Sequence, residues 1–274
     1  MSVKPLLQSF TLVRSKFYIS PDTERKSTMF LSQGFREDFY RNFIKDDRYK
    51  YLLNGLQVTL KVTFFALIVG LVIGVVIAII RSSYDKTHTT RYSSPLHCFL
   101  QILLSIANFF CNIYLTVIRG TPSTVQLMII YFVIFGSVNI DKSIVAICAF
   151  GINSGAYVAE IVRSGIMSVD NGQFEAGRSL GFGYVPTMWY IILPQAFKNV
   201  LPALGNEVIV LLKETSISGY IALEDLTMGA NIIRGQTYSA FLPLFAAAGI
   251  YLVIVMLLSA GVKKLENNTR ANER

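Results

Sequence analysis

Four polar residues, Asn153, Tyr157, Glu160 and Ser164, follow one another at intervals of four, three and four within an otherwise apolar segment. In a helix that spacing lines them along one stripe. A carboxylate within a membrane span costs about 2.5–3.5 kcal/mol on insertion scales and is rarely left against lipid, so Glu160 must face a cavity, a partner or the aqueous boundary. Further along, Glu207 and Glu214 stand seven residues apart, again on one helical face, with Lys213 and Ser216 beside them. Two polar-striped helices suggest a shared water-filled passage. The same side chains admit a structural reading, in which Glu160 pairs with Arg119 or Arg163 and Glu207 with Lys213, and spacing alone leaves both open. Covalent chemistry has little to work with. The two histidines, His88 and His97, lie near no paired carboxylate, and Cys98, Cys111 and Cys148 sit in apolar segments without metal-ligand spacing, where cysteine packs as a small hydrophobe. No catalytic residue and no metal site is expected.

The elements that must hold these stripes are membrane helices. Of the 274 residues 53% are hydrophobic and 15% charged, and the mean hydropathy is +0.49; a soluble domain carries about 25% charge. Val62 to Ile80, Leu96 to Ile118 and Ser239 to Val262 are apolar and near the ~20 residues that cross a bilayer. Ser143 to Val162 and Val200 to Lys213 are weaker spans, each interrupted by the polar residues above. In the first span Ala66, Gly70, Gly74 and Ala78 recur every fourth residue, a small-residue face along which another helix can approach. The next segment has its polar residues Gln101, Ser105, Asn108 and Asn112 on one stripe, and breaks at Arg119, Gly120 and Pro122 before the apolar run resumes from Val125 to Phe135. Five spans result if the first half lies flat or forms an elbow, and six if both halves cross.

Basic residues set the orientation. Arg81, Lys86 and Arg91 in the loop of residues 81–95, and Lys263, Lys264 and Arg270 near the C-terminus, argue that both face the cytoplasm, which five spans with an external N-terminus satisfies. Against this stand Arg36, Arg41, Lys45, Arg48 and Lys50 before the first span, whose acidic neighbours count little in the rule. The N-terminal fifty residues are polar, mixed in charge and without a cleavage pattern, so no cleaved signal peptide is expected. The formal net charge of +8 is dispersed through tails and loops. It therefore fits a membrane protein better than a nucleic-acid binder.

Between two apolar segments lies FEAGRSLGFGYVPTMWYIILPQAF, amphipathic and punctuated by glycine. Asp170-Asn171-Gly172 is turn chemistry, Gln173 to Leu180 form about two helical turns, and Gly181 and Gly183 stop the helix. By itself such a helix could lie on lipid headgroups. Its full spacing says more. Glu175-Ala176-Gly177, Gly181, Ile191 and Leu193-Pro194 reproduce the signature loop of ATP-binding-cassette importer permeases. The resemblance extends over residues 51–266 through RGTPSTVQ at 119–126, NSGAYVAEIVR at 153–163, ILPQAFKNVLPALGNEVIVLLKETSIS at 192–218 and the closing span followed by KKLE. Together these resemble the polar amino-acid uptake subfamily. The subfamily usually has alanine at the position of Gly177, so a slightly looser helix is expected here, glycine costing about 0.5–1 kcal/mol in a helix interior.

The resemblance implies an all-α integral membrane protein with the type I ABC importer permease fold, of five transmembrane helices or six, and a cytoplasmic coupling helix. It divides the chain into an N-terminal polar extension (1–50), a permease domain (51–266, coupling loop 168–194) and a C-terminal cytoplasmic tail (267–274). It assigns the ATPase-coupling site to Phe174, Glu175, Ala176, Gly177, Leu180 and Gly181, with Phe174 and Leu180 as apolar anchors. It implies as partners a second permease subunit, identical or homologous, two ATPase subunits, an extracytoplasmic substrate-binding protein and the lipid of a bacterial plasma membrane. No phosphate-binding loop GxxxxGK[ST] occurs in this chain, so ATP and Mg belong to the ATPase subunits and this chain is a transport subunit rather than an enzyme. The implied cargo is a polar L-amino acid or a close relative such as cystine. A zwitterion needs a cationic or amide group for its carboxylate and an acidic one for its amine; Thr124, Gln126, Asn153, Tyr157, Glu160, Glu207, Glu214 and Ser216 are the pathway candidates. The competing reading, a carrier driven by an ion gradient, requires two corresponding halves, and the sequence has no internal repeat.

Overall fold

In a computed structural model, residues 34–87 and 95–271 are described. His88, Arg91 and the basic residues of the first thirty-three positions lie outside them. Among the described residues every regular element is helical. The small-residue face of the first span forms the centre: helix α1 (Tyr49–Thr87) packs along α4 (Lys142–Met167). Gly74 of α1 meets Val158, and Gly151 of α4 meets Val69, so closely that an added Cβ would stand 2.5 and 2.6 Å from the nearest side-chain atoms. The two helices are parallel, because Val69 lies beside Gly151, Ile73 beside Gly155 and Arg81 beside Glu160. Asp141 caps α4 by accepting from the Ser143 N–H at 2.7 Å, and hydrogen bonding to Ser143 holds its carboxyl below the usual range.

Helix α2 (Pro95–Gly120) is followed, after the Thr121-Pro122 break, by α3 (Ser123–Ile129) and a wider π turn over Ile130–Ile134. The break is stitched rather than loose. Gln126 Nε2 donates to the carbonyls of Ile118 and Thr121 and to Thr121 Oγ1, satisfying acceptors that the end of α2 leaves without an intrahelical donor. After α4 come α5 (Asn171–Ser179), the single turn α6 (Tyr184–Thr187) and a π turn (Met188–Ile192) running into α7 (Leu193–Glu214). A 3₁₀ segment (Thr215–Ile221) leads to α8 (Leu226–Thr237), and α9 (Phe241–Ala271) ends the described chain.

Four of these helices are long and apolar enough to cross a membrane: Tyr49–Asp85, Cys98–Gly120, Lys142–Met167 and Phe241–Asn268. Helix α7 is more polar, yet it runs antiparallel to α4 along most of its length. Asn199 donates to Ser168, Val200 fits at Gly165, and Glu207 reaches Ser154. The C-terminal part of α9 runs back along α7, with Val262 packed on Gly205 in mid-helix and Glu266 lining the same cavity as Lys198 and Asn199. The C-terminal end of α1, the helix α5 and the C-terminal part of α9 therefore lie towards one face of the molecule. At the opposite face α8 is clamped to α1, with Gly229 against the backbone of Tyr51 and Asp225 capping α8 through the N–H groups of Thr227 and Met228.

The packed unit begins upstream of residue 51. Asn42 and Phe43 are buried; Phe43 joins a core cluster with Leu52, Leu226, Ala230, Ile233 and Ala247, and Asn42 accepts from Thr237 Oγ1 at 2.8 Å. Three of the basic residues here pair with neighbouring acids, Arg41 with Asp38 at 3.2 Å, Arg48 with Asp46 at 2.9 Å and Lys50 with Asp47 at 2.7 Å.

Candidate functional site

Two places draw the sequence's polar residues together. The first is a cavity of about 660 Å³ between α4, α7 and the ends of α2 and α9. Tyr157, Glu160 and Ser164 all line it, so three members of the predicted stripe share one wall, and Glu207 faces them from α7. Asn153 sits deeper. It is buried and donates from Nδ2 to Gln126 Oε1 at 2.9 Å, tying α4 to the stitched break between α2 and α3. Thr124 is half-buried on α3, and Glu214 and Ser216 are half-buried at the far end of α7, none of them among the residues lining this cavity.

Glu160 is held by three arginines. Arg81 of α1 reaches its Oε2 at 3.1 Å, Arg119 of α2 the same oxygen at 3.6 Å, and Arg163 its Oε1 at 3.5 Å, while Arg163 also pairs with Asp85 at 2.8 Å. The expected partners Arg119 and Arg163 are both present, and Arg81 was missed because nothing in the linear spacing relates the end of α1 to the middle of α4. Arg119 lies 5.9 Å from the Tyr157 ring centroid, within cation–π range. Glu207 differs from the expected pairing. Its partner is Ser154, whose Oγ donates to Oε1 at 2.8 Å, rather than Lys213. Six residues separate Glu207 from Lys213, which turns their side chains away from each other on a helix of 3.6 residues per turn. Lys198, Asn199, Pro202 and Ala203 complete the α7 wall. The four-residue steps Asn199, Ala203, Glu207 carried that signal in the sequence.

The second place is α5. Asp170 caps it, accepting from the Gly172 N–H at 2.6 Å, and Gly181 at φ +83° ends it, with Phe182 N donating back to Gly177 O at 3.0 Å. Gly177 is the one buried residue of α5, and a Cβ there would stand 2.7 Å from Thr187 Cγ2. The helix is thus seated closely rather than loosened by the glycine. Phe174 turns inward, stacking on Tyr184 at 6.2 Å and packing on the cluster of Ile166, Val169, Ile192 and Ala196. Glu175, Ala176 and Gly181 are exposed, and Leu180 is 75% exposed. Of the two predicted apolar anchors, Phe174 secures α5 to its own chain and Leu180 projects outward.

Residues 103–271 match the family model for the binding-protein-dependent transport system inner membrane component. The chain belongs to this family. As such it is a multi-pass inner membrane permease component, not a catalytic one, of a system that includes an ATPase and a binding protein. The arginine transport system permease protein ArtQ of Bacillus subtilis is 41% identical to this permease over 167 residues, 60% of this chain and 76% of that one. The glutamine transport system permease protein GlnP of Escherichia coli is 40% identical over 169 residues, 60% of this chain and 77% of that one. Among solved structures, an amino acid ABC transporter crystallised with histidines matches with a TM-score of 0.69 and 40% identity, over 82% of this chain and 98% of that chain. The MetNI methionine transporter, in an inward-facing form, has a TM-score of 0.62 at 18% identity over 81% of this chain and 97% of that one, a likeness of fold.

Proposed function

We propose that this permease carries polar L-amino acids across a bacterial plasma membrane as one half of a dimer, driven by two ATPase subunits that bind ATP and Mg and fed by an external binding protein. The observation that supports it most is α5: a short, doubly capped helix at the shared end of α4 and α7, with its inner face anchored and its outer face free. A rigid element of that kind passes displacement on, because Phe174 and Gly177 rest on the segment that continues into α7, and α7 forms a wall of the cavity. Closure of the ATPase on Glu175, Ala176, Leu180 and Gly181 then biases which end of the cavity is open.

In this reading five elements cross the bilayer, α7 being the fifth and α2 with α3 acting as one interrupted crossing. The face carrying α5 is cytoplasmic and the segment before α1 is external. A polar seventh helix is tolerated because its polar residues face a cavity rather than lipid. The cargo class rests on the relatives, whose names specify arginine and glutamine transport, and on a cavity offering both signs of charge.

The test is transport by the reconstituted assembly. Glu175→Ala or Gly181→Asp is expected to reduce ATP-driven uptake and substrate-stimulated ATP hydrolysis at least tenfold while leaving membrane insertion intact. Uptake at normal rates in both variants would remove α5 from the coupling role.

A further inference from the structure

On their side away from the polar cavity, α4 and α7 form a second, apolar recess against α1. It is a groove of about 540 Å³ walled by Leu71 and Val75 of α1, Val162 and Ile166 of α4, and Val200 and Leu204 of α7, with Trp189, on the π turn before α7, at one end. Val162 stands two residues from Glu160 and from Ser164, and Val200 two from Lys198 and from Pro202, so groove and cavity face about 200° apart round each helix. The indole N–H of Trp189 is the one polar side-chain group among the lining residues, and Trp189 is 66% exposed. An apolar wall with no atoms against it forfeits its dispersion contacts, so a recess of this kind inside a bilayer is one that a neighbour completes.

Position and dimensions select the neighbour. In the dimeric reading the polar cavity is turned towards the second permease subunit, which leaves the groove on the lipid-facing side. Its length agrees. Leu193 and Leu204 stand eleven residues apart along it, about 16 Å at 1.5 Å per residue, and one leaflet contributes about 15 Å of hydrocarbon, half of a ~30 Å core. Trp189 marks the end beside α5, and indole rings gather at headgroup level; Leu71 stands midway along the apolar run from Val62 to Ile80. A helix of that length and about 10 Å diameter occupies roughly 1,300 Å³, more than twice the groove, whereas an unbranched hydrocarbon chain lies within it. We infer that the groove holds one acyl chain of a phospholipid from the leaflet on the α5 side, with its headgroup beside Trp189. The inference rests on the dimeric reading for which side faces lipid. Ile166 and Ala196 line the groove and also belong to the cluster on which Phe174 of α5 packs, so the chain braces the anchorage of α5 from behind.

Native mass spectrometry of the assembled transporter, purified in mild detergent, counts the phospholipids it retains. At least one per copy of this chain is expected to survive washing. Val75→Trp, which fills the groove, should remove one per copy, and Val76→Trp, at an exposed position outside the groove, should remove none. Equal retention by the two variants, or no lipid retained by the wild type, overturns the inference. A measurement on the wild type keeps the test independent of whether Val75→Trp assembles. A phospholipid with a photoreactive diazirine on its acyl chain should label Leu71 and Leu204 at least threefold more than Val72 and Val76, exposed positions of α1 outside the groove; even labelling overturns the assignment. Val75→Cys tests the other occupant. An oxidative cross-link between two permease subunits, absent from the wild type with its native cysteines, would put a second copy in the groove and overturn both the acyl-chain assignment and the placement of the cavity towards the dimer partner. ATP-driven uptake, scored separately, decides the transport reading itself.

Discussion

At the residue scale, Glu160 illustrates how one carboxylate can organise three helices. Its two oxygens serve Arg81 of α1, Arg119 of α2 and Arg163 of α4, and its side chain is 35% exposed, so solvent screens part of the attraction. Removing the charge leaves three guanidinium groups facing one another with only Asp85 as counter-ion. Glu160→Gln is therefore expected to lower stability by about 1 kcal/mol, within the modest range of partly exposed ion pairs, and to leave the ranking of transported amino acids unchanged. Thermal unfolding of the detergent-solubilised assembly measures the first, and competition uptake the second. A changed ranking would mean that Glu160 touches cargo rather than framing the cavity.

At the scale of elements, the seam between α1 and α4 depends on the absence of side chains. A Cβ on Gly74 would fall 2.5 Å from Val158 Cγ1 and 2.9 Å from the backbone nitrogen of Ala159, and backbone cannot yield as a side-chain tip can. Gly74→Leu is expected to separate the helices and cost about 1–3 kcal/mol or more, the range of overpacked cores, with loss of the monodisperse complex on gel filtration. Gly235, inside α8, has nothing within 4 Å of an added Cβ. Gly235→Ala should instead stabilise by about 0.4–1 kcal/mol through the unfolded chain. Thermal unfolding of the two variants side by side distinguishes close approach from simple helix propensity.

For the whole molecule, the segment before α1 is part of the fold rather than an appendage. Asn42 is fully buried and joins the upstream helical segment to Thr237 at the end of α8. Arg48 reaches Gln236 in the same region at 3.1 Å. These contacts hold α8 across the end of the molecule opposite α5. Asn42→Ala leaves a buried hydroxyl with one partner fewer and is expected to cost about 1–3 kcal/mol. Amide hydrogen exchange should quicken in residues 226–237 and stay unchanged in α5; faster exchange throughout would indicate global rather than local loosening.

What the sequence determined by itself was local and periodic. Apolar run lengths marked the long helices, four-residue steps marked the α1 seam, steps of three and four marked the Tyr157–Glu160–Ser164 wall, and Asp170 with Gly181 marked both ends of α5. Such features are legible because helical geometry converts spacing into direction without reference to the rest of the chain. The choice among partners was decided only in three dimensions. Arg81 meets Glu160 across 79 residues and Ser154 meets Glu207 across 53. Phe174 turns towards its own core while Leu180 points outward, although both were plausible anchors. The physical reason is the same in each case: a side chain's partner depends on how helices far apart in sequence are set against one another, and close packing at Gly74, Gly151 and Gly177 fixes that arrangement.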